Sequence, residues 1–277
     1  MMALGRSAGK VGFIGVGNMG GAMVRALVAQ RVLDGESIMA VNKDNRLRME
    51  ALRAQCGIVP ARSLAVLTRA CKTILIAVKP HQVVEATAGA RGLLTQEHLV
   101  ISVVAGVTLA RLRDLLGDGV SIVRAMPNTP VQVSEGAVAL SGSEGLGQEY
   151  REEAERLFGA VGKVFWVDES LMDAVTALSG SGPAYFYRLA VDLAKAAELL
   201  GLERSLAVEL ARQTLVGAGA LLKGGARTAE DLLRQVVSPN GTTEAALREM
   251  DARDFSSSIR SAVARAWERS KELARDT

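Results

Sequence analysis

The sequence has little of what metal centres and catalytic triads are made from. Its 277 residues include two histidines, His81 and His98, and only 4% are aromatic. A zinc site built on histidines, or a Ser-His-Asp triad, therefore has almost no material here. We expect no metal ion, and we expect His81 to be structural rather than a catalytic acid.

Cysteines and long apolar runs are scarce as well. The two cysteines, Cys56 and Cys71, form no CxxC pair, which favours small buried thiols in a reduced, intracellular setting. The longest apolar stretch, residues 99–107, is too short to span a bilayer, and the opening MMALGRSAGK lacks the apolar segment of a signal peptide. We expect a cytoplasmic protein with no membrane partner.

Neither sign of charge is in large excess. The chain has 33 basic and 30 acidic residues, for a net charge of +3, with no long run of like charges. A nucleic-acid binder normally carries a clustered basic excess. We therefore expect a small-molecule partner and no nucleic acid.

The first part of the chain alternates short apolar runs with helical patterns. The runs are continuously apolar rather than alternating, which is typical of parallel strands buried on both faces and joined by helical crossovers. They lie at 11–16, 37–41, 73–78, 99–104 and 120–123. This pattern predicts an α/β fold with a doubly wound, Rossmann-type and mostly parallel sheet.

The pattern changes after residue 125. A strand-like segment at 137–140, a helix at 147–159 and a last strand at 163–167 are followed by helical stretches alone, up to residue 275. We predict a Rossmann domain over 1–167 and an all-helical domain over 168–277. Gly217 and Gly219 lie in one of these helices, which favours a close approach to another helix of the same or a second subunit.

A glycine motif follows the first strand and opens a helix. In such a motif the first glycine permits a tight turn, the second lets the backbone approach a pyrophosphate, and the third allows close packing of helix on strand. The helix N-terminus then offers free amides to the phosphates. The motif predicts a dinucleotide-binding site at Gly15, Gly17, Asn18, Met19 and Gly20.

The end of the second strand bears on which dinucleotide binds. An NAD site places an acidic residue there, whereas this strand ends at Asn42 and is followed by Lys43 and, further on, Arg46. A neutral side chain flanked by cations suits a 2′-phosphate and favours NADPH. Asp44 leaves NADH open, and Lys43 and Arg46 have the alternative of being solvated surface charges.

Further loops follow strands at the edge where such sheets bind ligands. One has Lys79 held out of the helical region by the next proline, a second is poor in side chains and lets a ring lie close, and a third brackets Asn-Thr with two prolines. Their candidate cofactor residues are Ala77, Val78, Lys79, Pro80, Ala105, Gly106 and Asn128. The alternatives are that Lys79 is an ordinary surface lysine and that the loop at 126–130 forms an interdomain seam.

In the helical half, the segment SPNGTT at 238–243 precedes a helix. Its hydroxyls, together with amides at the helix N-terminus, predict an anion site. The alternative is a capping loop without a ligand. No Lys/His pair, acidic metal cluster or nucleophilic cysteine accompanies it.

Five segments in order, FIGVGNMGGAM, AVKPHQV, MPNTPVQVSEG, DAVTALSGSGPAY and SPNGTTEAAL, resemble the pyrroline-5-carboxylate reductases over about residues 10 to 270. The resemblance implies NADPH- or NADH-dependent reduction of the cyclic imine 1-pyrroline-5-carboxylate to L-proline, the last step of proline biosynthesis. It also implies a homodimer, or a higher oligomer of dimers, built through the helical domains.

The same resemblance assigns roles in the SPNGTT loop. Thr243 would hydrogen-bond the imine nitrogen, and Ser238 with the amides around Gly241 would take the substrate carboxylate. The implied catalytic residues are Thr243 and Ser238, and the implied substrate site is Ser238, Asn240, Gly241, Thr242 and Thr243. The family commonly has glycine at Asn240 and a small hydroxyl residue at Val237. Asparagine tolerates a left-handed backbone, whereas Val237 removes a possible polar contact with the substrate.

Two other functions fit the sequence less well. A 3-hydroxyacid dehydrogenase needs the lysine of a GxGxxxK pattern, but after Gly180 and Gly182 the chain has Phe186 at that position. A catalytically silent NADPH-binding protein would have no need of Ser238 and Thr243.

Overall fold

The computed structural model describes residues 9–43 and 46–275. They form two compact units: unit 1 runs to Gly180 and takes in the segment from Trp267 onward, and unit 2 is Ser181–Ala266. The functional division into 1–167 and 168–277 stays a prediction, because a compact unit and a functional domain need not end at the same residue.

Unit 1 is built on a sheet of eight strands. These are β1 (Val11–Ile14), β2 (Ile38–Val41), β3 (Val59–Pro60), β4 (Thr73–Ile76), β5 (Leu99–Ser102), β6 (Ser121–Pro127), β7 (Gly136–Gly142) and β8 (Gly162–Trp166). Their order is β3-β2-β1-β4-β5-β6-β7-β8, and every pair is parallel except β6 with β7. The predicted doubly wound, mostly parallel sheet is confirmed.

Helices cover both faces of this sheet. They are α1 (Asn18–Ala29), α2 (Arg46–Cys56), α3 (Leu64–Ala70), α4 (Val83–Thr87), α5 (Leu109–Leu116), α6 (Gln148–Gly159) and α7 (Met172–Val175). Successive residues of β1 point to opposite faces, as the pleat requires. Phe13 lies in one core with Leu27 of α1 and Phe158 of α6, and Ile14 lies in the other with Leu112 of α5. Two buried faces explain why the strand sequences are continuously apolar.

The strands differ from the expected runs at the ligand-binding edge. The runs at 11–16, 73–78 and 99–104 each leave the sheet two residues before the apolar sequence ends. Their last residues form loops at the edge instead. The two-residue strand β3 was not predicted, because a segment that contains proline and pairs only at the sheet edge has no apolar period to reveal it.

Unit 2 contains helices and no strand in the part of the chain described. They are α8 (Gly182–Leu199), α9 (Arg204–Lys223), α10 (Ala229–Val236) and α11 (Thr242–Ala252), and α12 (Phe255–Arg275) begins in unit 2 and ends in unit 1. The predicted helical character of this part is confirmed. Across residues 9–43 and 46–275, no helix has the length and apolar character needed to cross a membrane.

The two cysteines are free thiols inside unit 1. Cys71 is fully buried in a core with Leu67, and Cys56 is partly buried. Burial raises the pKa of the Cys71 thiol to about 11, and the nearby Lys10 only partly offsets this. Burial also raises the pKa of Cys56. Both thiols are packing groups, as the sequence predicts.

We expect Cys71 to resist alkylation in the folded protein. With its pKa near 11, about one thiol in a thousand is ionised at pH 8, and the thiolate is the reactive form. Iodoacetamide at pH 8, followed by peptide mass spectrometry, should label Cys71 only after guanidinium is added. Rapid labelling of Cys71 in the native protein would contradict the buried assignment.

Candidate active site

Three of the predicted ligand loops come together at one edge of the unit 1 sheet. They follow β1, β4 and β5, which are neighbouring parallel strands and so end on the same side. Each of two loops also bonds to the end of the neighbouring strand: the Ala77 amide donates to the Ile14 carbonyl over 2.8 Å, and the Val103 amide donates to the Ile76 carbonyl over 3.0 Å. The structure therefore places the residues at 15–20, 77–80 and 105–106 at one carboxyl edge, where sheets of this kind bind ligands in a crevice.

The glycine motif forms the turn that the sequence predicts. Gly15 has φ +89°, and a Cβ there would lie 2.6 Å from Val78 Cγ1, so only glycine fits. Gly17 is the N-cap of α1 and has no side-chain capping bond. The first amides of α1, at Asn18 and Met19, thus belong to a helix start without a side-chain cap from Gly17, which is the arrangement that binds phosphate.

The two residues after β2 are placed differently from each other. The Val16 amide donates to Asn42 Oδ1 over 3.5 Å, so Asn42 lies beside the glycine turn. Lys43 pairs with Glu85 on α4, and both side chains are largely exposed. An exposed pair contributes only about 0–1 kcal/mol, so a phosphate can compete for Lys43. Asp44, the residue that left NADH open, lies outside the described residues.

Arg48 is a candidate site residue that sequence reasoning missed. Arg46, which was named, is 91% exposed and pairs with Glu50 along its own helix. Arg48 instead donates from Nη2 to Asn18 Oδ1 over 2.8 Å and so lies beside the start of α1. The available signal was the helical period of α2, on which residues 46 and 48 point in different directions.

The remaining candidates in unit 1 have distinct surroundings. Lys79 and His81 are exposed at a turn that Pro80 begins, and Gly106 is buried with φ +76°. Asn128 is 8% exposed; its amide nitrogen donates to the Ser179 carbonyl over 3.0 Å, and its amide oxygen accepts from the Ala137 amide over 2.9 Å. Asn128 thus orders the chain after β6, and its contact with a cofactor stays a prediction.

The SPNGTT segment lies in unit 2, between α10 and α11. Asn240 has φ +59°, a left-handed backbone that asparagine tolerates. The backbone amide of Asn240 donates to Glu244 Oε2 over 2.7 Å, and Glu244 in turn pairs with Arg248. Gly241 is the N-cap of α11 without a side-chain cap, and Thr243 is half-buried in the first turn. Val237 is the half-buried C-cap of α10.

These features suit a dinucleotide and a small anion. Unit 1 offers a turn with three glycines, a helix start without a capping side chain on Gly17, and cations beside it. Unit 2 offers hydroxyls at a second helix start of the same kind. Within residues 9–43 and 46–275, no three His, Cys, Asp or Glu side chains gather as a metal site requires.

Two families match separate parts of the chain. Residues 10–106 match the family described as NADP oxidoreductase, coenzyme F420-dependent. Residues 169–273 match the family described as pyrroline-5-carboxylate reductase dimerisation. The first match covers the crevice of unit 1 except Asn128, and the second covers the SPNGTT segment.

Relatives match over nearly the whole chain. The pyrroline-5-carboxylate reductase of Methanosarcina acetivorans is 36% identical over 266 residues, which is 96% of this chain and 98% of the relative. That of Pseudomonas aeruginosa is 36% identical over 269 residues, 97% of this chain and 98% of the relative.

Solved structures agree with these relatives. A pyrroline-5-carboxylate reductase from Coxiella burnetii is 34% identical with a TM-score of 0.90, covering 97% of this chain and 99% of the other. Plasmodium falciparum pyrroline carboxylate reductase, solved with NADP bound, is 28% identical with a TM-score of 0.85, covering 98% and 100%. The sequence and the fold agree over both units, and the chain belongs to the pyrroline-5-carboxylate reductase family.

Proposed function

We propose that this chain reduces 1-pyrroline-5-carboxylate to L-proline with NADPH, in the last step of proline biosynthesis. The observation that carries the proposal is the pairing, in one chain, of a glycine turn at the edge of the unit 1 sheet with the uncapped SPNGTT helix start in unit 2. Its relatives over nearly the full length are reductases of that imine by name.

The cofactor residues divide by the part of the dinucleotide that they bind. The amides that open α1 after Gly17 take the pyrophosphate, and Asn42, Lys43 and Arg48 surround the adenosine ribose and its 2′-phosphate. The loops at 77–80 and 105–106 lie on the other side of β1 and take the nicotinamide half. When bound, NADPH supplies the hydride.

The substrate residues need only to bind and orient. Ser238 and the amides from Gly241 to Thr243 hold the carboxylate, and the Thr243 hydroxyl hydrogen-bonds the imine nitrogen. A protonated imine is already activated toward hydride, so correct positioning replaces a strong acid. This explains how a chain with two histidines carries out the reaction.

The partner that we propose is a second copy of the chain. The helices of unit 2 bury few apolar side chains, chiefly Ala194 and Ala207, whereas Leu199 and Leu200 are 90% and 87% exposed. Gly217 and Gly219 have no atom within 4 Å of a Cβ added to them, which leaves room for a closely packed helix. The match to a dimerisation family over 169–273 supports a homodimer, or a higher oligomer of dimers. The compartment we propose is the cytoplasm, where free thiols such as Cys56 and Cys71 stay reduced.

Thr243→Ala tests the catalytic assignment. A charge-assisted hydrogen bond is worth roughly 1.5–3 kcal/mol, so kcat/KM for the imine should fall on the order of ten-fold or more. The measurement is NADPH oxidation followed by absorbance, with Thr243→Ser as the control that keeps the hydroxyl. Unchanged kinetics in Thr243→Ala would remove Thr243 from the site, and an inactive wild type would overturn the proposed function.

Arg48→Ala tests the 2′-phosphate assignment. Loss of this cation should raise the KM for NADPH by roughly ten-fold or more and leave the KM for NADH almost unchanged, because only NADPH carries the phosphate. Arg46→Ala is the matched control, because Arg46 lies two residues away on the same helix and pairs with Glu50 of that helix. Equal effects of both variants, or equal effects on both cofactors, would contradict the assignment.

Sedimentation equilibrium tests the partner. The mass should be at least twice the 29.2 kDa of one chain at micromolar concentration. A single 29.2 kDa species under those conditions would contradict the homodimer and leave the leucines of unit 2 exposed.

A further inference from the structure

The loop after β5 is held in place by residues far from it in the sequence. The Leu109 amide, at the first position of α5, donates to Glu169 Oε1 over 2.7 Å. Arg124 of β6 donates from Nη1 to the same oxygen over 3.2 Å. One carboxylate oxygen thus joins the central sheet to the helix that follows the Ala105–Gly106 loop.

Arg124 gives this link its rigidity. Its side chain is only 6% exposed, against 32% for Glu169. A buried guanidinium without a carboxylate partner is strongly unfavourable, so Arg124 fixes where Glu169 lies. The carboxylate also sits at the N-terminus of α5, where the helix dipole favours negative charge. Both effects hold the start of α5, and therefore the end of the loop, in one position.

Asp173 makes a second link from the same short segment. It lies four residues after Glu169 and accepts from the Ser270 hydroxyl over 2.7 Å. Ser270, in the last turns of α12, is 5% exposed. Those turns belong to unit 1, so this contact lies within one compact unit.

The end of α12 packs directly against the loop. A Cβ added to Gly106 would lie 3.3 Å from the carbonyl carbon of Leu273 and 3.4 Å from the amide nitrogen of Ala274. With φ +76°, Gly106 also has a backbone conformation that other residues adopt at a cost. The loop is therefore held at its far end through Leu109 and from outside through Leu273 and Ala274.

We propose that Glu169 is a positioning residue of the reductase, which with Arg124 and the Asp173–Ser270 pair holds the Ala105–Gly106 backbone against the nicotinamide half of the cofactor. The proposal rests on the cofactor placement given above. In that placement the adenosine end lies at the carboxyl end of β2. Because β2 and β5 lie on opposite sides of β1, the loop at 105–106 faces the nicotinamide end and not the adenosine end.

The test compares two ligands that share the adenosine end. Glu169→Gln keeps the size of the side chain and removes its charge, and Ser270→Ala removes only the hydroxyl. NADPH and 2′,5′-ADP are titrated separately by calorimetry, since 2′,5′-ADP lacks the nicotinamide half. Glu153→Gln is the matched control, because it discharges another half-buried carboxylate that pairs with an arginine, Arg156.

We expect Glu169→Gln to raise the Kd for NADPH by roughly ten-fold, since a charge-assisted hydrogen bond is about twice as strong as a neutral one. Ser270→Ala should raise it by a smaller factor. The Kd for 2′,5′-ADP should stay within about two-fold of wild type in both variants, and Glu153→Gln should change neither ligand. A general loss of folding would weaken both ligands together.

Equal weakening of the two ligands, or no change in either, would overturn the positioning role. If Glu169→Gln does not fold, Ser270→Ala decides the matter on the same criterion. A wild-type protein that binds NADPH but does not reduce the imine would contradict the proposed function and still leave the ligand comparison to judge Glu169.

Discussion

The parallel pairing of β1 with β2 on one side and β4 on the other is the constraint on which the rest of unit 1 depends. Because the chain leaves this central strand in both directions across the sheet, the loops on either side diverge and open a crevice at the carboxyl edge. The glycine turn lies at the centre of that crevice. Because Gly15 has no Cβ, the turn passes close to Val78 and brings the start of α1 to the floor of the crevice.

Unit 2 is governed by a different balance. Its helices carry enough leucine to build a core but leave most of it exposed in one chain, with Leu199 and Leu200 as the extreme cases. Exposed apolar surface on that scale is unusual for a monomer, because each buried leucine contributes about 1.5–3 kcal/mol. The stability of this unit is therefore expected to depend on association, and the SPNGTT segment that it carries shares that dependence.

The fold was more predictable from the sequence than the site. Continuous apolar runs identified β1, β2, β4, β5 and the start of β6, because burial on both faces leaves a signal in each residue. The same runs extended two residues too far at β1, β4 and β5, since the apolar character continues into the loop after each strand. In the SPNGTT segment, the left-handed conformation of Asn240 agrees with the glycine that the resembled family commonly has there.

The site contacts that the sequence did not reveal join residues that lie far apart along the chain. Arg48 beside Asn18, and Glu169 beside Arg124, are contacts between residues 30 and 45 positions apart. Local pattern carries no information about such pairs, because it reports periodicity and turn chemistry and not which elements become neighbours. In the sequence Glu169 resembles any surface acid, and only the structure shows that it pairs with the buried Arg124 of β6.

The end of α12 shows the same point for domain organisation. Helical periodicity places residues 267–275 with the helices before them, yet they pack in unit 1, where Ser270 bonds to Asp173 and Leu273 lies against Gly106. Residues 273 and 274 thus complete the surroundings of the loop at 105–106. In the cofactor placement proposed above, a protein with so few reactive side chains depends on backbone that is held in place, and the support for this loop comes from residues that follow position 167.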